Sequence, residues 1–240
     1  MKIFVHNLFY TPPGKIFSEE IIIDGEELHH LKHVLRKNIN DVIFVTDGKG
    51  YRYKVKISYT KRTRVKGLIL EKEHIKWGDT TTVALAFVPL KGLRNDFVIE
   101  KGTELGVRMF LPFISRFSVL RTLGQPKLNR FKKIAISAML QSQQYYSPDI
   151  IFQKDINTLV KIFDDFDLVL LADRNGESRI PSGARSVIYI VGPEGGFDKS
   201  EINLFTHHGA RLLSLGSRRL RSETAAICGI TKVLTIYKKI

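Results

Sequence analysis

Cysteine is almost absent from this chain of 240 residues, which contains only Cys228. A single cysteine excludes an intrachain disulfide and a cysteine-rich metal site, and it suits a reducing compartment. No run of about eighteen apolar residues occurs, so no membrane-spanning helix is predicted. Residues 1–7 carry too short an apolar run for a signal peptide. We therefore expect a cytoplasmic protein with no membrane partner.

Acidic residues are also scarce, with 24 Asp and Glu against 38 Lys and Arg and a formal net charge of +14. This excess favours a polyanionic partner, nucleic acid ahead of an acidic membrane surface, over solubility alone. The excess is densest in residues 51–66, which contain no acid. There Arg52, Lys54 and Lys56 alternate with apolar side chains, so a strand would turn the three cations to one face.

The first third of the chain, residues 1–73, predicts a small β-barrel that binds RNA. Its short β-rich runs are separated by turn signals and interrupted by one helix over 25–37, which Asp24 is placed to cap. His29, His30 and His33 lie in that helix, but no carboxylate at catalytic spacing and no second ligand pair accompany them, so no metal is expected. The predicted strands are 21–23, 42–46, 51–58 and 65–71.

The remainder, residues 78–240, alternates apolar strands with helices. Strands that are apolar along their whole length indicate a parallel sheet covered on both faces. The sequence therefore predicts an α/β fold that follows the barrel. The predicted strands are 83–90, 109–114, 168–172, 187–191 and 211–215, and the predicted helices are 95–105, 128–144, 156–163, 199–208 and 223–237.

Two loops in the last third carry the strongest functional signal. The sequence Val-Gly-Pro-Glu-Gly-Gly at 191–196 follows one apolar run, and Leu-Gly-Ser-Arg-Arg-Leu-Arg-Ser-Glu-Thr-Ala at 215–225 follows another. Each is predicted to leave the carboxyl end of a buried strand and open a helix, where α/β proteins bind ligands. Asp198 with Glu201 predicts a capping box, and Ser222 is placed to cap the last helix. Neither loop has the pattern of a Rossmann or Walker phosphate site.

These motifs, with others in the same order, resemble the RsmE family. That family consists of SPOUT-class methyltransferases that modify N3 of one uridine in small-subunit (16S) ribosomal RNA. The resemblance runs the length of the chain. The residues that carry it are Gly192-Pro-Glu-Gly-Gly-Phe with Glu201, Leu215-Gly216 with 220–225, Lys101 with 104–107, 30–36, Asp47-Gly48, Lys91-Gly92 with Arg94, and Arg116.

The resemblance implies a PUA-like N-terminal barrel, an α/β domain whose C-terminal part forms a deep trefoil knot, and a homodimer. It also implies S-adenosyl-L-methionine as the cofactor and small-subunit ribosomal RNA as the substrate, either naked or, as we expect, in the assembled 30S subunit. The matching cofactor-binding positions are Leu171, Ala172, Gly192, Pro193, Glu194, Gly195, Gly196, Leu215, Gly216, Leu220 and Arg221.

Methylation of uracil N3 requires that its weakly acidic proton leave and that the resulting negative charge be held. Arg221 is the first choice to hold a uracil carbonyl, and Arg116, at the end of a strand, is a second candidate. Glu223 either takes the proton or serves only the dipole of the helix that it begins, and both roles stay open. The expected RNA-binding residues are Arg36, Arg52, Lys54, Lys56, Lys91 and Arg94.

Three departures from the family pattern occur: at residues 140–144, which lack a usual carboxylate and arginine, at Phe117, where a small residue is usual, and at Lys2 or Ile3, where an arginine is usual and which lie outside the residues that the structure describes. We interpret them as lineage variation. Two other functions stay open at this point. One is an RNA-binding protein without catalysis, which the cofactor would not stabilise; the other is an enzyme that methylates tRNA or a ribose hydroxyl.

Overall fold

A computed structural model describes residues 8–77 and 81–237, and these residues form two compact units. The first unit contains residues 8–77 together with Met139–Ser147. The second contains residues 81–138 and 148–237. The predicted boundary segment includes residues 78–80, which lie outside the described residues.

The first unit contains a five-stranded sheet in the order β1-β3-β4-β5-β2. Strand β1 runs parallel to β3, and the other pairs are antiparallel. The predicted helix is present as α1 and a following π-helical turn, but Asp24 makes no capping hydrogen bond and instead accepts one from Lys15 at 2.6 Å. The elements are β1 (Leu8–Tyr10), β2 (Glu20–Ile23), α1 (Gly25–His29), the π-helix His30–Val34, β3 (Val42–Thr46), β4 (Tyr51–Thr60) and β5 (Val65–His74).

Alternation along β4 matches the predicted pattern. Tyr53, Val55 and Ile57 are buried in the core of this unit, whereas Lys56 is exposed. The segment Met139–Ser147 packs on the same unit at Gly50, where a Cβ atom would lie 2.3 Å from the ring of Tyr146. Glycine is therefore required at position 50, which also has a positive φ of 97°.

The second unit contains a six-stranded sheet in the order β11-β9-β10-β6-β7-β8, and all of its pairs are parallel. The predicted strands and helices are present, with shifted ends. The strands are β6 (Thr82–Phe87), β7 (Met109–Pro112), β8 (Asp149–Ile150), β9 (Leu168–Glu177), β10 (Ser186–Val191) and β11 (Arg211–Leu213), and the helices are α2 (Arg94–Glu104), α3 (Gln125–Gln141), α4 (Ile156–Val160), α5 (Lys199–His207) and α6 (Ser222–Ile236).

Both faces of this sheet are buried, as the apolar runs predict. Along β6, Val83 and Leu85 belong to a core that includes residues of α2, α3 and α6, whereas Ala84 and Ala86 belong to a core that includes residues of α4 and α5. A strand with partners on both faces needs apolar residues at every position. No helix in the described part of the chain is long and apolar enough to cross a membrane.

Helix α6 packs unusually close to the sheet. A Cβ atom on Gly229 would lie 2.1–2.3 Å from atoms of Tyr189, a fully buried residue of β10. The hydroxyl of Tyr189 donates a hydrogen bond to the carbonyl oxygen of Ala225 at 3.1 Å. Burial raises the pKa of Tyr189 well above its usual value, so the hydroxyl stays protonated and able to donate. The glycine thus sets the distance between α6 and β10.

We predict that Gly229→Ala lowers the free energy of unfolding by about 1–3 kcal/mol, because the new methyl group overlaps the Tyr189 ring. In an unpacked helix the same change would stabilise by about 0.5–1 kcal/mol. Urea denaturation measures the difference. The neighbouring Cys228→Ala, at an exposed position, is the control and should change stability by less than about 0.5 kcal/mol. A Gly229→Ala protein as stable as the parent contradicts this packing.

Candidate active site

The loop after β10, here called the glycine loop, spans residues 192–196. A Cβ atom on Gly192 would lie 2.8 Å from the ring of Phe197, so a larger residue at this position would displace that ring. The N–H of Gly196 donates to the carbonyl oxygen of Pro193 at 2.9 Å and closes a turn. Gly196 has a φ of 76° and borders open space. The loop therefore offers backbone rather than side chains to a ligand.

The loop after β11 leads into α6. The N–H of Gly216, whose φ is 114°, donates to the hydroxyl of Ser214 at 3.3 Å, and Leu215 packs against the sheet core. Arg221 occupies the position before the first helical residue, and its side chain is exposed. The prediction that Ser222 caps this helix is wrong, because Ser222 is already its first residue and is buried.

Three loops are connected by charged groups. Arg94, at the start of α2, forms an ion pair with Glu194 of the glycine loop. Arg219, from the loop after β11, donates to the carbonyl oxygen of Glu194 at 3.3 Å. Arg94 also lies 3.9 Å from the Oε2 atom of Glu223, in the first turn of α6. Sequence reasoning missed Arg219 and gave Arg94 to RNA alone, because these contacts join distant parts of the chain.

Glu223 has an unusual environment. Its side chain is only 12% exposed, and its Oε2 atom is buried without a hydrogen-bond partner among the described residues. The distance of 3.9 Å to Arg94 is an ion-pair contact but too long for a hydrogen bond. A buried carboxylate oxygen in this condition requires an explanation, and a bound ligand is one.

Arg116 is held against the start of α5. Its N–H donates to Glu201 at 2.7 Å, and its guanidinium donates to Asp198 at 2.7 Å. Asp198 and Glu201 form the predicted capping box, which is confirmed. Hydrogen bonds from the hydroxyl and N–H of Ser200 lower the pKa of Asp198 below its usual value, so it stays ionised opposite Arg116.

The sequence predicts that Leu171 and Ala172 lie at the end of a strand, but in the structure the strand continues past them. Strand β9 continues to Glu177, and its pairing with β11 is irregular. Leu212 of β11 pairs with Leu171, but the next residue, Leu213, pairs with Glu177. Residues 172–176 lie between the two paired positions, and Gly176 packs against β11, since a Cβ atom there would lie 2.3 Å from the backbone of Leu212. Leu171 is buried and Ala172 is half-buried.

The predicted RNA-binding cations differ in their availability. Arg52 forms an ion pair with Glu73, and Lys54 forms one with Glu71 at 2.5 Å, across the β4–β5 pair. Cations of the acid-free stretch 51–66 therefore pair with glutamates of the neighbouring strand β5. The spacing of residues within the stretch does not reveal such cross-strand pairs. The other members of the set are Lys56, Arg36 and Lys91, which are exposed, and Arg94, which is paired with Glu194.

No group of three or more His, Cys, Asp or Glu that could hold a metal ion occurs within the described ranges. Two clefts of the second unit, of about 470 and 350 Å³, contain no residue of the glycine loop or of the loop after β11. We nevertheless place the candidate active site at these loops. The buried, unpartnered oxygen of Glu223 and the open backbone at Gly196 point to a ligand there, whereas cleft volume alone does not.

Comparison with known families defines the class of protein. Residues 79–234 match the family of RNA methyltransferase domains, and residues 23–70 match the RNA methyltransferase PUA domain. Together they define an RNA methyltransferase with an N-terminal PUA-like domain.

Individual relatives narrow the class. The ribosomal RNA small subunit methyltransferase E of Bacillus subtilis strain 168 is 30% identical over 226 residues, which cover 88% of each chain. The crystal structure of a ribosomal RNA small subunit methyltransferase E from Neisseria gonorrhoeae bound to S-adenosyl methionine matches with a TM-score of 0.82 and 26% identity, over 96% of this chain and 98% of that one. A putative methyltransferase from Legionella pneumophila with bound S-adenosylmethionine matches with a TM-score of 0.85 and 26% identity, over 95% and 96%. This chain belongs to the ribosomal RNA small subunit methyltransferase E family, as the sequence resemblance indicated.

Glu201 is predicted to support the candidate site through its two accepted hydrogen bonds. Glu201→Ala leaves the N–H groups of Arg116 and Asp198 without partners and should lower the free energy of unfolding by about 2–3 kcal/mol. Lys199→Ala, exposed in the same helical turn, is the matched control and should have little effect. Denaturant titration compares them, and equal stabilities would show that the capping box does not fix this loop.

Proposed function

We propose that this chain transfers a methyl group from S-adenosyl-L-methionine to N3 of one uridine in 16S ribosomal RNA, on the assembled 30S subunit in the cytoplasm. Membership of the ribosomal RNA small subunit methyltransferase E family supports the reaction class. The observation that carries the proposal is the convergence of three loops beside the buried Oε2 atom of Glu223, which has no hydrogen-bond partner among the described residues. Such a group is suited to accepting a proton.

The residues present fit this cofactor. Backbone at Gly196 and Gly216 borders open space, since a Cβ atom at either position would meet nothing within 4 Å. The carboxylate of Glu194, in the glycine loop, suits the positive groups of such a ligand. When bound, S-adenosyl-L-methionine supplies a methyl group that its sulfonium already activates. The residues that would hold it are Leu171, Ala172, Gly192, Pro193, Glu194, Gly195, Gly196, Leu215, Gly216, Leu220 and Arg221.

The protein's own part in the reaction concerns the uracil. Its N3–H bond must break as the new N3–carbon bond forms, and negative charge spreads to the two carbonyl oxygens. We assign the proton to Glu223, whose buried oxygen has no hydrogen bond to give up. We assign the developing charge to Arg221, whose guanidinium has no ion-pair partner among the described residues.

Arg116 and Arg94 are proposed in different roles. Arg116 is fixed by Asp198 and Glu201, so it is suited to orienting RNA or the loop rather than to moving with the substrate. Arg94 is shared between Glu194 and Glu223, and we propose that it orients the carboxylate of Glu223 toward the base. Arg94 can then bind RNA only after its ion pair with Glu194 breaks.

The proposal includes the homodimer and the deep trefoil knot that the family resemblance implies. The proposal also keeps the RNA-binding role of the PUA-like domain, residues 1–73, through Arg36, Arg52, Lys54 and Lys56, with Lys91 from the domain at 78–240. Steep salt dependence of binding is expected from such contacts.

Methyl transfer to small ribosomal subunits that lack the modification tests the function. Label from S-adenosyl-L-methionine should appear in 3-methyluridine after digestion of the RNA. Arg221→Ala should lower kcat about 10²- to 10³-fold, because a charge-stabilising donor is lost. Lys161→Ala removes a remote exposed charge and is the control. Label in another nucleoside, such as a ribose-methylated or tRNA product, would keep the methyltransferase and reject the target.

Glu223→Gln separates the two roles open for this residue. If Glu223 accepts the N3 proton, the variant should lose kcat by about 10²-fold or more and recover part of it as the pH rises, because hydroxide replaces the base. If it serves only the dipole of α6, only stability should fall, by about 0.3–1 kcal/mol. Affinity for S-adenosylhomocysteine, measured by calorimetry, shows that the pocket is intact. A variant with the parent's kcat at every pH would exclude the base.

A further inference from the structure

The two clefts of the second unit join into one groove along the edge of its sheet. Both are bordered by Pro181 and Arg211. The first cleft adds Asn175, Glu177 and Arg179, and the second adds Arg185 among others. The second lies at the amino ends of β9 and β10, whereas the glycine loop follows the carboxyl end of β10. Because β10 has six residues, the two ends lie about 20 Å apart.

None of the three arginines of this groove forms an ion pair with a described residue, and Arg179 and Arg211 are considered first because Arg185 interacts with Asp167. Arg179 and Arg211 are exposed, and neither has a carboxylate partner in the described ranges. The sequence-predicted RNA cations Arg52, Lys54 and Arg94 are, in contrast, each paired with a glutamate. An anion at the groove therefore has no ion pair to displace.

The acids of the groove do not cancel these charges. Asp167 accepts hydrogen bonds from the N–H groups of Arg185 and Ser186, at 2.7 and 3.0 Å, and these bonds lower its pKa. Its charge is thus directed at backbone donors and at Arg185. Glu177 is the remaining carboxylate, against Arg179 and Arg211. The lining keeps an excess of positive charge, with planar guanidinium groups that match phosphate oxygens.

We propose that this groove, bordered by Arg179 and Arg211, binds phosphate groups of the RNA backbone at a second place on the methyltransferase unit. The inference rests on the proposed function, which brings RNA to this unit. Arg211 pairs with Leu170, which pairs with Tyr189, so the nearer groove arginine is two strands and two residues from the end of β10. An RNA that reaches both the groove and the glycine loop must therefore extend about 12 Å. A folded ribosomal RNA segment meets that length, and a single nucleotide does not. Free phosphate shares the chemistry and is tested separately.

Filter binding of the full chain to a small-subunit ribosomal RNA transcript, at several salt concentrations, tests the groove. The double variant Arg179→Ala with Arg211→Ala should reduce the slope of log K against log salt by about 1.4–1.8, the loss expected for two phosphate contacts. The matched control, Lys132→Ala with Lys161→Ala, removes the same charge from exposed positions outside the groove. The control should change the slope much less.

An unchanged slope in the groove variant, or a change equal to the control's, would overturn the proposal. A thermal shift of the parent by inorganic phosphate, lost in the groove variant while its RNA slope stays unchanged, would assign the groove to free phosphate instead. If alanine disturbs folding, the pair Arg179→Gln and Arg211→Gln repeats the test. Calorimetry with S-adenosylhomocysteine examines the proposed function independently, since the groove variant should keep the parent's affinity.

Discussion

The pairing of β6 with β10 is the interaction on which the methyltransferase unit depends. Six residues of each strand pair in parallel, from Ser186 opposite Thr82 to Val191 opposite Phe87. Because the strands end in register, the loops that follow them begin side by side. Arg94 reaches Glu194, a hundred residues away, for this reason. A register shift of one residue would exchange the two buried faces of a strand and separate these loops.

The packing of α6 against β10 fixes the position of the last helix relative to the sheet. Gly229 lets α6 approach Tyr189, and the hydroxyl of Tyr189 holds the carbonyl of Ala225 in the first turns of α6. The same turns contain Glu223, and Arg221 precedes them. The position of the proposed base is thus set by a glycine and a tyrosine of the core. Burial leaves Glu223 without a hydrogen bond because the nearest cation, Arg94, is held by Glu194.

Local patterns were sufficient for much of this fold. Apolar runs predicted the long strands, and the Asp198–Glu201 spacing predicted its capping box. Strands β1 and β8 were missed because three and two residues carry no measurable period. The pairing of Arg52 with Glu73 was missed because cross-strand neighbours are remote in sequence. The glycine loop and the loop after β11 could be proposed from the sequence because their residues are consecutive. The Arg94–Glu194 ion pair could not, because its residues are far apart in the chain.

The net charge of +14 does not measure how many cations are available to RNA. On β4, Arg52 and Lys54 face glutamates directly across the pair with β5, and each such surface ion pair contributes about 0–1 kcal/mol. A phosphate can replace these partners, but it gains only the difference between two similar contacts. At Arg179 and Arg211 a phosphate replaces water alone. On the proposal made for the groove, the total charge governs long-range attraction, whereas the unpaired arginines determine where the RNA backbone is held.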